Sequence, residues 1–271
     1  MRRGGVRVLI ALAVALFSLF TYFSSSQKNP VTGEKQRVGS ITPRQEIALG
    51  LQAAPQMMRQ YGGESRDSRA NRLVDEVGNR LLTQSKAGNS PYQYEFHLLD
   101  DEQTINAFAL PGGQIFITEA LFRRLETEGQ LAGVLAHEIG HVVNRHSAQQ
   151  LAKQQLTQGL TGAAVIAAYD PDNPSSRSTA AVAAAIGSLV NMKFGRDDEL
   201  ESDRFGVEIM ANAGYDPRAM VRVMEILRDA GGGRSAPEFF STHPNPENRI
   251  ARIEEAVQQV YPNGVPSGLK K

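Results

Sequence analysis

Two histidines and a glutamate stand close together in the segment His-Glu-Ile-Gly-His at residues 137–141. Residues four apart lie about 40° from each other around an α-helix, so the rings of His137 and His141 can reach one metal ion from the same face. Glu138 sits beside them, where its carboxylate can act on a water molecule at the metal. This spacing is typical of zinc hydrolases and predicts a helix that presents a metal site.

The flanking sequence also predicts that this segment is helical. Thr127 and Gln130 have the spacing of a capping box, which marks a helix start. The residues that follow repeat an apolar face at helical spacing; they are Leu131, Val134, Leu135, Ile139, Val142 and Val143. We therefore expect one helix that begins near Thr127 and carries both histidines.

A catalytic zinc ion takes three protein ligands and keeps one open position. The acidic run at residues 197–203 is the candidate source of the third ligand. Glu199 and Asp203 share a helix face, whereas Glu201 lies about 200° away from Glu199. We expect Glu199 to bind the metal and Asp203 to accept a hydrogen bond from a ligating histidine. Without the upstream motif, the run would indicate only an acidic first turn that complements the helix dipole.

The remaining histidines need separate interpretations, since the chain has 5 in all. His97 lies in a strand-like segment, residues 94–99, and we expect a structural role for it. His146 would lie about 140° around the helix from His141, which predicts a position at the surface or behind the metal ligands. His243 precedes a proline in Thr-His-Pro at residues 242–244.

Several separated motifs, in this order, resemble those of the HtpX-like, CAAX-prenyl-protease-like gluzincin family of zinc metalloproteases, in its soluble bacterial envelope, BepA-like branch. The resemblance covers roughly residues 29–260 and rests on these segments: Asn-Pro-Val-Thr-Gly at 29–33, the hairpin-like stretch at 106–118, the pentapeptide at 137–141, Glu199 with Asp203, and Thr-His-Pro at 242–244 with Arg249. Ser202 departs from the usual alanine, but it is small and we expect little consequence. We also expect the tetratricopeptide domain of that branch to be absent.

The resemblance implies a zinc metalloendopeptidase with one zinc ion per chain, held by His137, His141 and Glu199. Zinc in such a site activates water, and Glu138 is expected to act as general base and then as general acid. Asp203 and Arg249 are expected to support the ligands from behind. The implied fold is α+β: a mostly helical zincin-type domain with a small sheet and an active-site helix that carries the HExxH motif.

His243 resembles a family histidine near the metal, and three roles are open for it. It could stabilise the oxyanion, or occupy the open coordination position in a resting state. It could also be a structural anchor for the proline-containing turn. The residues alone do not distinguish these roles.

The stretch before the helix predicts a β-hairpin, with strand-like segments at residues 105–110 and 114–118 around Pro-Gly-Gly. An edge strand here would bind an extended peptide through main-chain hydrogen bonds. Asn106, Ala107 and Phe108 are the candidate substrate-binding residues. The alternative is that Asn106 only terminates a strand and the glycines only form a turn.

The N-terminus predicts export from the cytoplasm. Arg2, Arg3 and Arg7 precede an uncharged, mostly apolar stretch at residues 8–23. This pattern is typical of a signal peptide or of a short signal-anchor in the inner membrane, with the rest of the chain in the periplasm. The expected division is residues 1–28 as signal peptide or anchor and residues 29–271 as one metallopeptidase domain.

Composition excludes some classes of partner and site. The chain has 29 basic and 29 acidic residues, so nothing indicates binding to nucleic acid, and its lack of cysteine excludes disulfides and thiol ligands. Residues 154–194 form an alanine-rich insert with a breaker-rich middle, which predicts two short helices. These helices would cover the cleft, press on the membrane surface or pack in the core.

Together the motifs predict a zinc endopeptidase of the bacterial envelope that acts on misfolded or unassembled proteins. The quality-control role rests on the resemblance. A zinc-bound, chaperone-like module that binds unfolded envelope proteins without efficient cleavage is the alternative. The intact Glu138 favours the enzyme, because a binding module has no need of a general base.

Overall fold

The computed structural model describes residues 3–168, 193–230, 237–244 and 248–271. The helices in these ranges are α1 (Arg3–Ser24), α2 (Pro43–Gln60), α3 (Ser68–Thr83), α4 (Glu119–Phe122), α5 (Glu128–Val143), α6 (His146–Ala168), α7 (Arg196–Asn212), α8 (Ala219–Ala230), α9 (Phe239–Thr242) and α10 (Arg249–Val260). The strands are β1 (Ser26–Lys28), β2 (Lys35–Arg37), β3 (Glu95–Leu99), β4 (Ala107–Ala109) and β5 (Gln114–Thr118). The predicted α+β class, mostly helical with a small sheet, is confirmed.

The central sheet has three strands in the order β3-β5-β4. β5 runs parallel to β3 and antiparallel to β4, and Phe108 of β4 faces Phe116 of β5. Gly112 and Gly113 turn the chain between β4 and β5 with φ of 87° and 112°, a region that glycine adopts without strain. A side chain on Gly112 would collide with the backbone of Ile47 in α2. The predicted hairpin is therefore present, with α2 packed against its turn.

Helix α5 runs through the centre of the molecule and is buried on all sides from Gly129 to Val143. Thr127 begins the helix, because its side chain accepts a hydrogen bond from the backbone N–H of Gln130. The expected capping box is wrong in its second half: the Gln130 side chain accepts from the backbone N–H of Glu126, at 2.7 Å, rather than from Thr127. The helix still starts at Thr127, because the cap on the N–H of Gln130 is present.

Helices α5 and α7 pack closely against each other, and small residues allow that approach. A Cβ atom on Gly140 would lie 2.9 Å from the Cα of Ser202, which is shorter than real Cβ contacts. Gly140 stands between the two histidines of α5, and Ser202 between the two acidic residues of α7 that share a face. The crossing therefore brings the acidic face of α7 onto the histidines of α5.

Two helices differ from what the sequence predicts. The spacing of Thr42, Pro43 and Gln45 predicts the start of α2 with a capping box, and that box is present. Pro55 predicts an interruption or a kink, but α2 continues through it to Gln60, so the helix is not interrupted there. Helix α6 is a single element of 23 residues that includes the first apolar run of the insert. The rest of the insert, residues 169–192, lies outside the described residues.

Helix α6 packs along α1. Among the helices of the described ranges, none combines the length and the apolar character needed to cross a membrane.

Candidate metal centre

Four buried side chains converge between α5, α7 and the segment after α9. His137 and His141 come from α5 and Glu199 from the first turn of α7, and His243 directly follows α9. Each side chain offers one ligand atom, and these atoms all lie within 4.8 Å of one another. In the described part of the chain, this is the cluster of histidine and carboxylate groups that has the spacing of a metal site.

The separations between the candidate ligand atoms are those of groups that can share one metal ion. The Nε2 atoms of His137 and His141 are 3.0 Å apart; His137 Nε2 lies 3.4 Å from Glu199 Oε2, and His141 Nε2 lies 3.4 Å from Glu199 Oε1. His243 Nδ1 completes the set at 3.3 Å from His137 Nε2 and 3.1 Å from Glu199 Oε1. Tetrahedral zinc with bonds of ~2.0–2.1 Å has ligand atoms about 3.3 Å apart. The observed separations are close to that value, so the four side chains are placed to hold one small cation.

Glu138 faces this space with an unsatisfied carboxylate. Its side chain is fully buried, and neither oxygen has a hydrogen-bond partner among the described residues. The nearest cationic candidate is His243 Nε2, at 3.6 Å from Glu138 Oε1. Burial raises the pKa of Glu138 above its ordinary value, although His243 and His137 act against that rise. A buried carboxylate without a hydrogen-bond partner is costly, so this orphaned group beside the cluster fits a site built for a metal ion.

Asp203 and Arg249 hold His137 from behind. Asp203 Oδ1 lies 2.8 Å from His137 Nδ1. The guanidinium of Arg249 donates to both oxygens of Asp203, from Nε at 2.6 Å and from Nη2 at 2.9 Å. Although burial raises the pKa of Asp203, Arg249 holds it below its ordinary value. The ionised carboxylate fixes the ring of His137 with Nε2 directed at the cluster.

The charges of the cluster favour a cation at its centre. Burial raises the pKa of Glu199, but His243, His137 and His141 hold that pKa well below its ordinary value. Burial and Arg249 oppose protonation of His137, yet Asp203 and Glu199 raise its pKa to about 9. Burial lowers the pKa of His141 well below its ordinary value. The carboxylates of the site therefore favour a positive charge, while His141 is a neutral imidazole that can bind a metal. A metal ion at the cluster would replace the proton that His137 otherwise takes up.

Aromatic rings complete the walls of the site, and sequence reasoning missed them. Phe194 stacks on the ring of His141 with centroids 4.0 Å apart, and Phe239 stacks on His243 at 4.5 Å. Both phenylalanines lie far from the pentapeptide in the sequence, and no spacing pattern connects them to it. They keep the two imidazoles in place and exclude water from one side of each.

Of the two positions expected for His146, the one at the surface is wrong, and the one behind the metal ligands is observed. The ring is fully buried, and its Nδ1 lies 2.9 Å from Nδ1 of His141. The 140° estimate assumes a continuous helix, but α5 ends at Val143 and Arg145 adopts a left-handed conformation with φ of 58°. The chain therefore turns back and brings His146 beside His141.

The other two groups weighed in the sequence lie away from the four ligand atoms. His97 is in β3, where its Nε2 lies 3.0 Å from Gln114 Oε1 and its ring stacks on Phe116. Glu201 turns to His146, with Oε2 at 3.3 Å from Nε2 of that ring. The periodicity argument that separates Glu201 from Glu199 thus agrees with the placement of both side chains.

The candidate substrate-binding residues lie in or directly before β4, the outer strand of the sheet, but they are buried. Asn106, Ala107 and Phe108 have side chains less than 8% exposed. Asn106 Nδ2 donates to Tyr61 Oη at 3.3 Å, and Asn106 Oδ1 has no partner among the described residues. The backbone N–H of Phe239 donates to the carbonyl of Ile105 at 3.1 Å. The segment that leads to His243 therefore lies against the strand edge.

Comparisons with known proteins agree with this geometry. The model of the family described as Peptidase family M48 matches residues 68–257. The Beta-barrel assembly-enhancing protease of Escherichia coli K12 is 32% identical over 230 residues, which are 82% of this chain and 46% of that protein. The Mitochondrial metalloendopeptidase OMA1 of Schizosaccharomyces pombe is 32% identical over 86% of this chain and 67% of that protein. The mitochondrial Metalloendopeptidase OMA1 of Bos taurus is 29% identical over 90% of this chain and 48% of that protein. The chain thus spans about half the length of most of these relatives.

Proposed function

The chain belongs to peptidase family M48, and on that premise we propose that it is a zinc-dependent endopeptidase that hydrolyses peptide bonds in polypeptide substrates. One observation carries the proposal. Four side chains whose ligand atoms lie within 4.8 Å of one another adjoin a buried carboxylate, Glu138, that has no partner in the described structure. A metal site built only for stability has no use for such a carboxylate, because an unsatisfied buried charge destabilises the fold.

We assign the metal to His137, His141 and Glu199. Two imidazoles and one carboxylate form the donor set of a catalytic zinc site, and it leaves a fourth position for chemistry. Zinc, when bound there, lowers the pKa of a water molecule and polarises the carbonyl that is attacked. The ordered, dry surroundings of the three side chains support tight binding, since all of them are at most 3% exposed.

Glu138 is the general base of the proposed reaction and then its general acid. Its carboxylate accepts a proton from the attacking water and delivers it to the nitrogen of the leaving amine. Burial raises its pKa towards physiological pH. A group whose pKa lies near the working pH can both accept and release a proton, so both transfers become easier. The lack of hydrogen bonds to its oxygens leaves both of them available for the water.

Asp203 and Arg249 are positioning residues in this mechanism. Asp203 accepts the Nδ1–H of His137 and so fixes the tautomer in which Nε2 has a free lone pair. Arg249 holds Asp203 through two hydrogen bonds and lies with its Nη1 atom 3.0 Å from Glu199. The guanidinium of Arg249 therefore orients both Asp203, which lies behind the ligand His137, and Glu199, which is itself a ligand.

His243 has two proposed roles, and the geometry supports one of them for the form described here. Its Nδ1 atom lies 3.3 Å from His137 Nε2 and 3.1 Å from Glu199 Oε1, so it would take the fourth vertex of a tetrahedral zinc site. In that position it would occupy the coordination site that water or substrate needs, which is a resting state. In the second role, His243 would move off this position and its imidazole would donate a hydrogen bond to the oxyanion of the reaction.

We propose that substrate binds as an extended strand along β4, with Asn106, Ala107 and Phe108 in contact. β4 lies at the edge of the described sheet, and edge strands bind peptides through their backbone groups. The hydrogen bond from the backbone N–H of Phe239 to the carbonyl of Ile105 closes this edge. His243 lies four residues after Phe239 and directly follows α9. A shift of the α9 segment would open the strand edge and the fourth vertex together.

We further propose that the catalytic domain, residues 29–271, works in the bacterial envelope on misfolded or unassembled proteins. The printed name of the E. coli relative, a Beta-barrel assembly-enhancing protease, supports this substrate class. The basic start and apolar residues 8–23 support export, with this segment either cleaved or retained as an inner-membrane anchor. Protease added to spheroplasts should digest the catalytic domain; full protection until lysis would place the domain in the cytoplasm.

A second function is favoured by the position of His243. With the fourth vertex filled, the protein would bind unfolded chains along β4 and cut them poorly, as a zinc-bound chaperone-like module. The measurement that separates the two is the suppression of aggregation of an unfolded envelope protein beside its cleavage. Suppression without fragments would favour the module, and fragments would favour the peptidase.

The peptidase is tested by removing and restoring the metal. Purified protein should contain one zinc ion per chain and cleave casein. Chelation should abolish both the zinc content and the cleavage, and added zinc should restore both. Cleavage that persists in protein free of zinc would contradict the proposed function.

A further inference from the structure

Each histidine of α5 in the cluster has a partner for its second ring nitrogen, but the two partners differ in kind. His137 Nδ1 meets the carboxylate of Asp203 directly. His141 Nδ1 instead meets another imidazole, the Nδ1 atom of His146, at 2.9 Å. A metal ligand whose second nitrogen faces a histidine needs that histidine in one particular tautomer.

The positions of the protons follow from the role of His141 as a ligand. Its Nε2 atom faces the cluster and must keep a lone pair for the metal, so the ring proton is on Nδ1. This N–H donates to His146 Nδ1, which must then be unprotonated. The proton of a neutral His146 is consequently on Nε2, which lies 3.3 Å from Glu201 Oε2. A carboxylate is acceptor-only, and it fits this donor.

The surroundings of His146 support this single arrangement. The ring is fully buried, and Ser202 Oγ also lies near its Nδ1, at 3.3 Å. Glu201 is the outer member, with its side chain 28% exposed. The partly exposed carboxylate can remain ionised in contact with solvent while the two rings stay dry. The three side chains thus form one chain of hydrogen bonds from the metal site to the protein surface.

The backbone turn that places His146 is itself anchored. Arg145 has φ of 58°, which is a strained conformation for a residue with a side chain. Its guanidinium donates to Glu46 Oε2 at 2.9 Å and to the carbonyl of Ile41 at 2.7 Å. Tyr92 Oη donates to the same Glu46 oxygen at 2.7 Å. These buried bonds hold Arg145, and hence the turn before His146, in place.

We infer that His146 and Glu201 are positioning residues for His141, the counterpart of what Asp203 and Arg249 are for His137. Together they fix the tautomer of His141, orient its ring and increase the basicity of its Nε2 atom. This inference rests on the proposed function, because it requires a metal ion at the cluster. Groups that orient a ligand in this way change metal affinity by about 10–100-fold when they are removed.

The test is the zinc affinity of the full chain, measured by competition with a chelator. His146→Leu should weaken zinc binding by about 10–100-fold. His146→Asn should restore part of that affinity, because its side-chain oxygen can accept the N–H of His141. Glu201→Ala should cause a smaller loss, of less than about tenfold, since solvent can replace the exposed carboxylate as acceptor. Glu208→Ala, on the same helix and also partly exposed, is the matched control and should leave affinity unchanged.

Thermal unfolding of the metal-free variants separates positioning from a general loss of structure. A His146→Leu variant that unfolds at the wild-type temperature yet binds zinc as tightly as wild type would overturn the inference. If that variant does not fold, the comparison of His146→Asn and Glu201→Ala with wild type decides, and wild-type affinity in both would overturn it. A wild-type protein that binds no zinc would instead refute the proposed function.

Discussion

The replacement of Glu138 by glutamine should separate catalysis from stability. An amide of the same shape cannot accept the proton of the attacking water, so turnover should fall by about 10²–10⁴-fold, the usual contribution of a general base. Zinc should remain bound, because Glu138 is not among the four side chains whose ligand atoms converge.

The same change should stabilise the metal-free protein. Glu138 is fully buried with no hydrogen-bond partner for either oxygen in the described structure, and burial raises its pKa. The amide of glutamine is still a buried polar group, so the gain is only the extra cost of burying a charge rather than a neutral group. The nearby imidazole of His243 offsets part of that cost, so we expect a gain of about 1 kcal/mol, which for a chain of this size raises the unfolding temperature by about 2–4 °C.

Glu128→Gln on the same helix is the matched control. Glu128 accepts from Tyr215 Oη and from Lys270 Nζ, each at 2.6 Å, and lies in the first turn of α5. Its neutralisation should leave turnover unchanged and destabilise the protein by about 0.3–1 kcal/mol, the value of a charge near a helix N-terminus. Zinc content, casein cleavage and thermal unfolding of the chelated proteins measure the contrast. Wild-type turnover in Glu138→Gln would refute the assigned base, and a lower unfolding temperature would refute the claim that its carboxylate is unsatisfied.

Three further outcomes are expected. Glu199→Ala should lose zinc stoichiometry while Glu208→Ala keeps it, and retention of zinc by the first variant would show that another group supplies the third ligand. His243→Ala should keep the fold and raise casein turnover if the imidazole fills the fourth vertex, or lower it by about 10²-fold if it stabilises the oxyanion; unchanged turnover and zinc affinity would make His243 structural. Burial raises the pKa of Glu46 above its ordinary 4.5, so its contribution to stability is full below the unfolded pKa and is lost as the pH rises through the folded pKa. Unfolding free energies of wild type and Glu46→Gln between about pH 4 and pH 8 should therefore shift in favour of the glutamine variant as the pH rises; a shift the other way would mean that the pair with Arg145 outweighs the cost of burial.

The sequence by itself determined the parts of this protein that depend on short-range regularities. The helical repeat places His137 and His141 on one face, and it places Glu199 with Asp203 while turning Glu201 away. The cap at Thr127 and the hairpin glycines likewise depend on contacts within a few residues. These features were predictable because their physical causes lie within one or two turns of chain.

Only the tertiary structure decided which distant groups meet. His146 lies beside His141 because Arg145 leaves the helical conformation, and Arg145 is held there by Glu46, which is 99 residues away in the sequence. The spacing of residues along the sequence does not reveal such a contact. If the helix were continuous, His146 would lie about 140° around it from His141 and would point in another direction. The approach of His243 to the cluster likewise depends on how the α9 segment packs. Long-range packing selects one arrangement among many that local rules allow equally, and for that reason these positions could not be derived from the sequence.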